Sequence, residues 1–161
     1  MNEADPQRQL ASALGRIPSG LFILTVRHGE AETGMLASWV QQCSFEPPRV
    51  SVALAGGREV GAWLTVGAAF TLNILDDTQT DMIVHFGRGF ALGQPAFEGL
   101  ESERCPEGGP VLTEALACLE CRIVARHPAG DHDLLIAEVV RGRMLSEGQP
   151  MVHVRKGGAH Y

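Results

Sequence analysis

The residues best equipped for chemistry in this sequence are few and scattered. His132 follows Gly130 and Asp131, with Asp133 on its other side, directly before the apolar run "LLIAEVV". A histidine held in a turn beside a carboxylate is a fixed hydrogen-bonding post, because the acid orients one ring nitrogen and leaves the other for a ligand. The same pattern also suits a solvated hairpin tip whose His–Asp pairing is structural. Asn73 sits inside the apolar run "FTLNIL". A buried amide must be hydrogen-bonded, either to backbone or to a ligand. "MLASWV" ends in Ser38 and Trp39, and Ser44 precedes the pair Pro47-Pro48. Small residues, a hydroxyl and an indole at one strand end suit a flat ligand laid against backbone. The alternative puts Ser38 on the surface and Trp39 in the core.

Other arrangements fail on spacing. Cys118 and Cys121 form a C-x-x-C, but "LECRIVAR" alternates with period two and reads as a strand. Strand residues three apart point to opposite faces, so the two thiols are expected to be one buried and one exposed, with no shared metal or disulfide. "GRGFALG" nearly matches G-x-G-x-x-G, but its third glycine comes one place late and it follows a helical pattern rather than a strand. There is no P-loop, no His-Glu-x-x-His, no calcium-loop spacing and no nucleophile elbow. No metal site is expected. Arg58, Arg155 and Lys156 are the candidate cations for a site.

The elements that must position these residues follow from periodicity and turn chemistry. The spacing predicts a short helix over 8–16, strands over 20–28, 35–45, 50–55 and 69–75, and a short helix over 58–64. Residues 29–34 read as a turn. Met82, Ile83 and Phe86 have helical spacing within 77–86, and 87–110, rich in Gly and Pro, reads as mostly loop. Runs 115–126 and 133–145 form a long antiparallel pair around the Gly-Asp-His turn, and a last short strand falls at 150–154. Strands dominate, and the helices are too few for a βαβ sheet, so an antiparallel barrel with small flanking helices fits best.

The chain has 161 residues, 45% of them hydrophobic and 20% charged, and a formal net charge of −6. These values fit one globular domain over 1–161 and argue against disorder. With no basic block, the electrostatic footprint of a nucleic-acid binder is missing. No apolar run is long enough to span a membrane. The polar N-terminus lacks the pattern of a secretory leader, so the cytoplasm is the expected compartment and the four cysteines are expected to be free.

Four runs stand in order along the chain: "GMLASW" followed by "CSFEPP", then "FTLNILDDTQ", "GGPVLTEALACLEC" and "GDH". Together they resemble the flavin reductase-like, FMN-binding split-barrel family, from about Leu14 to Tyr161. "MLASWV", "ALACLECRIVAR" and "HVRKGGAHY" look most similar to the flavin-reductase domain that ends cyanobacterial-type flavodiiron proteins. The resemblance implies a mainly β fold, a six-stranded antiparallel Greek-key split barrel with short flanking helices, in a homodimer. FMN, or FAD, would lie at or near the dimer interface. Met35, Leu36, Ala37 and Ser38 would line the isoalloxazine and ribityl chain, and Trp39 would stack on or shield the ring. Ser44 and Arg58 would sit near the phosphate, and Asn73 would hold its strand beside the flavin. His132, oriented by Asp131, would face the nicotinamide, and Tyr161 closes the pattern. Many family members carry Thr and Ser where this chain has Leu36 and Trp39, so two hydroxyl donors are replaced.

The implied activity is hydride transfer from NAD(P)H to flavin. Reduced flavin or electrons then pass to an acceptor protein such as a monooxygenase. Such chemistry belongs to the cofactor and needs no nucleophile or metal from the protein. The alternative is an FMN-binding electron-carrier module, reduced by a protein partner and without its own NAD(P)H site. A pyridoxamine-phosphate-type oxidase on a similar barrel lacks matching motifs here.

Overall fold

The computed structural model describes residues 5–159. Its elements, in chain order, begin with helix α1 (Pro6–Leu14), then strands β1 (Ser19–Gly20), β2 (Phe22–His28), β3 (Ala31–Ala37), β4 (Val40–Phe45) and β5 (Pro48–Ala55). A 3-10 turn (Glu59–Ala62), β6 (Ala69–Ile74), α2 (Thr80–Gly87), β7 (Ser102–Glu103) and β8 (Val111–Leu112) follow. The chain continues through β9 (Ala117–Ala129), β10 (His132–Met144) and β11 (Val152–His153). No helix among the described residues is long and apolar enough to cross a membrane.

Seven strands form one antiparallel sheet in the order β3-β2-β6-β9-β10-β5-β4. The count exceeds the six expected because the run 35–45 is two strands, broken at Ser38-Trp39. The predicted turn at 29–34 shortens to Gly29-Glu30, and β3 resumes at Ala31 because Thr33 and Met35 are buried while Glu32 faces solvent. The two edge strands, β3 and β4, are consecutive in the chain and separated by those two residues alone. Two residues span at most about 11 Å between the strand ends, so the sheet curls until its edges meet there.

The concave side of that curl holds the main core. Leu24, Val26, Val52, Leu54, Phe70, Leu72, Ile123 and Leu135 pack there with at most 2% of their surface exposed. Burial of each such side chain contributes about 1.5–3 kcal/mol. A second cluster fills the convex side, where Met82 and Phe86 of α2 meet Leu21, Ile23 and Leu75. Gly34 allows that approach, since a Cβ there would stand 2.8 Å from Phe86 Cε1.

The β9–β10 hairpin is closed by Gly130-Asp131, with His132 opposite Ala129. Gly130 has φ +68°, and Asp131 does not have positive φ, the sign pattern of a type II′ turn that only glycine adopts without strain at its first central position. Cys118 and Cys121 point to opposite faces as spacing requires, but both are buried. Cys121 lies in the main core, while Cys118 packs under the loop carrying Cys105 and Val111. The expectation of one exposed thiol fails because that loop covers the outer face of β9.

Candidate functional site

A cleft of about 480 Å³ opens where the two sheet edges meet. Met35, Leu36 and Ala37 of β3, with Ser38 and Trp39, form one wall, and Ala53 and Ala55 of β5 contribute to another. Ile83, Phe86 and Gly87 approach from α2, Arg58 from the 3-10 turn, His132 from β10 and His153 from β11. These side chains gather for a topological reason. Ser38-Trp39 is the bridge between edge strands, and β5 and β10 pair so that His132 stands opposite Ala55.

The bridge is tied to β5 by Ala53 N–H donating to Trp39 O at 3.0 Å. Because β3 is an edge strand, its outward amides and carbonyls have no ladder partner and are available to a ligand. Ser38 is 95% buried within the wall.

His132 Nδ1 donates to Asp131 Oδ1 at 2.7 Å, which leaves Nε2 for another partner. The hydrogen bond from His132, and then its charge, hold the Asp131 carboxyl below its ordinary value of 3.8. The His132 ring lies 4.8 Å from the Trp39 ring, centroid to centroid, with planes 37° apart. Arg155 extends this row, its guanidinium carbon 5.0 Å from the Trp39 centroid, a cation–π distance. Arg58 is exposed and enters no ion pair among the described residues, so its charge is available at the cleft margin.

Two candidates are not in the cleft. Asn73 is fully buried. Its Nδ2 donates to Ile23 O at 3.1 Å and Pro110 O at 3.4 Å, and its Oδ1 accepts from Leu112 N–H at 2.8 Å. The amide also donates to Thr25 Oγ1 at 3.4 Å, and it thus fastens β6 to β2 and to the covering loop with partners that belong to the protein itself. Ser44 lies on β4 next to a register shift, where its carbonyl accepts from Gln42 Nε2, and it does not line the cleft. Tyr161 lies outside the described residues. His153, a cleft residue the sequence reading passed over, had only its place in "HVRKGGAHY" as a signal. A two-residue strand is too short for periodicity to orient.

Comparison with known proteins places this geometry. The chain is 41% identical over 154 residues to Diflavin flavoprotein A 1 of Synechocystis, a match covering 94% of this chain and 27% of that protein. A putative diflavin flavoprotein A 3 of Nostoc is also 41% identical, with the same coverage. The chain therefore spans about a quarter of the length of these relatives. Among solved structures, an NADH:FAD oxidoreductase of Streptomyces globisporus superposes with TM-score 0.85 at 25% identity, covering 98% of this chain and 94% of that one. The same protein in complex with NAD and FAD fragments gives TM-score 0.81 over 97% of this chain and 93% of that one. The styrene monooxygenase flavin reductase of Pseudomonas putida gives TM-score 0.75 at 27% identity, over 89% of this chain and 90% of that one. The family described as "Flavin reductase like domain" matches residues 14–160, and the chain belongs to that family.

Proposed function

We propose that this chain is an NAD(P)H-dependent flavin reductase, a single domain over 1–161 that works as a cytoplasmic homodimer. FMN is its flavin, with FAD the other candidate, and electrons or reduced flavin pass to an acceptor protein such as a monooxygenase. The observation that carries this reading is an apolar cleft with an exposed cation, Arg58, and a carboxylate-oriented imidazole, His132, on its walls. The residues fit a flavin. The volume lies in the range of small-ligand sites. The β3 edge offers backbone donors and acceptors for a polar ring rim, and Arg58 offers a counter-charge for a phosphate.

Bound flavin supplies the ring that accepts hydride from the nicotinamide. The rest of the work is binding and orientation, where proximity contributes most to rate. Met35, Leu36, Ala37 and Ser38 form the wall for the isoalloxazine and ribityl chain. Arg58 holds the phosphate. His132 presents Nε2 to the nicotinamide side, and Asp131 fixes the tautomer through Nδ1. Trp39 would stack on or shield the ring, and Phe86 and Ile83 of α2 would add apolar lining that excludes water. Asn73 acts at a distance by holding β6 against β2. The known chemistry of the Streptomyces relative, an NADH:FAD oxidoreductase, supports the assignment.

A second reading has its own support. The diflavin flavoproteins are much longer than this chain, which matches about a quarter of their length. That suits an FMN electron-carrier module reduced by a partner. An anaerobic absorbance titration of FMN-loaded protein with NADH and then NADPH separates the two. Stoichiometric loss of the flavin band identifies the reductase and its donor. A flavin band that neither nucleotide bleaches overturns the reductase reading in favour of the carrier.

A further inference from the structure

The Arg58 side chain is exposed and enters no ion pair among the described residues, yet its backbone is pinned on both sides. Ahead of it, Gly56 N–H donates to Asp131 O at 2.9 Å, tying the end of β5 to the hairpin turn. Behind it, Gly61 N–H donates to Arg58 O at 2.9 Å within the 3-10 turn. That turn is gripped by one guanidinium. Arg126 Nη1 donates to Gly61 O at 2.7 Å and to Leu64 O at 3.2 Å. The same group donates through Nε and Nη2 to Asp133 Oδ2, at 2.9 and 2.6 Å.

Arg126 is on β9, directly opposite fully buried Leu135 on β10. Residues directly opposite share a sheet face, so Arg126 projects from the core side. It sits at the end of the main core, where Val60 and Leu64 plug the curl. Asp133 is next to His132 on β10. A single planar group therefore joins the turn that carries Arg58 to the strand that carries His132. Only arginine offers enough donors in one plane to hold two carbonyls and a carboxylate together. The Asp133 carboxylate pairs with Arg126 and not with Arg58, which enters no ion pair among the described residues.

We infer that Arg126 is a positioning residue. It fixes Arg58 at a set span from His132, and so sets the preference of the cleft for a flavin bearing a phosphate over one without it. The inference rests on the reading of Arg58 as the phosphate contact. It adds that this contact is preset by a second arginine that does not line the cleft.

The test compares FMN with riboflavin, measuring dissociation constants by flavin fluorescence for wild type, Arg58→Ala, Arg126→Met, Arg126→Lys and the double variant Arg58→Ala/Arg126→Met. Thermal melting checks that each is folded. Arg126→Met is expected to lower the FMN-over-riboflavin preference by about tenfold, while riboflavin affinity changes by less than about twofold. Arg126→Lys is expected to recover part of it. In the Arg58→Ala background, Arg126→Met is expected to leave the preference unchanged, the non-additivity of coupled residues. If Arg58→Ala abolishes the preference and both Arg126 variants retain it, the inference is overturned and the Arg58 reading stands. If Arg58→Ala retains the preference, the Arg58 reading falls and the inference with it. Should Arg126→Met not fold, Arg126→Lys and Asp133→Asn decide by the same ratio.

Discussion

The indole of Trp39 and the imidazole of His132 lie with centroids 4.8 Å apart, one on the bridge between β3 and β4, the other at the start of β10. They meet because the curled sheet brings its edges to the end of the β9–β10 hairpin. Either ring alone reads as an ordinary surface or core residue. As a pair they line one cleft together.

The chain has two tryptophans, Trp39 in the cleft and Trp63 at the plug of the core. In a Trp63→Phe background, FMN is expected to quench most of the remaining emission. Trp39→Ala is expected to weaken FMN binding by about 0.5–1.5 kcal/mol, the range of aromatic stacking. An unchanged affinity in a fluorescence titration would remove Trp39 from the flavin contact.

Asp131 makes a pH prediction with a defined sign. Its carboxyl is held below 3.8 in the folded chain, first by the hydrogen bond from His132 and then by its charge. A depressed carboxylate stabilises the fold above its unfolded pKa, and that contribution is lost as pH falls through the lowered folded value. Urea unfolding is therefore expected to show wild type above Asp131→Asn at neutral pH, with the gap closing in acid below the ordinary carboxylate range. The carboxylate is fully exposed, so the gap is small. Asp131→Asn is also expected to slow nicotinamide-dependent flavin reduction in stopped flow. A wild-type rate would show that the pairing is structural.

Asn73→Ala is expected to act on stability rather than on the cleft. It strands the Leu112 N–H in a buried place and removes the amide's bonds to the Ile23 and Pro110 carbonyls, although Thr25 Oγ1 still donates to Pro110 O at 2.7 Å. The expected loss is about 2–4 kcal/mol by urea unfolding. The FMN dissociation constant of the folded fraction is expected to stay near wild type. Weaker FMN binding without loss of stability would make Asn73 a direct ligand contact.

The thiols are expected to react unequally. Burial pushes Cys121 up to about 12 and also raises Cys118, whereas Cys43 is exposed on edge strand β4. Thiolate is the reacting form, so iodoacetamide at about pH 8 is expected to label native protein at Cys43 alone. Mass spectrometry of Cys43→Ser, showing no label until denaturant is added, checks this.

Sequence alone determined most elements here, because their signals are local. Alternation marked the β9–β10 hairpin, Gly130 announced its turn, and the spacing of Met82, Ile83 and Phe86 gave α2. The ordered runs around Met35, Asn73 and His132 pointed to the family. Local pattern did not reveal that 35–45 breaks at Ser38-Trp39, because the break follows from sheet edges that meet only after the chain has curled. Nor did it separate Asn73, satisfied within the protein by backbone and Thr25, from Ser38, which lines the cleft, since both read as polar residues beside apolar runs. His153 and Arg126 were invisible for the same reason. Side chains from distant strands acquire a common purpose only through register and curvature, and those are long-range properties of the sheet.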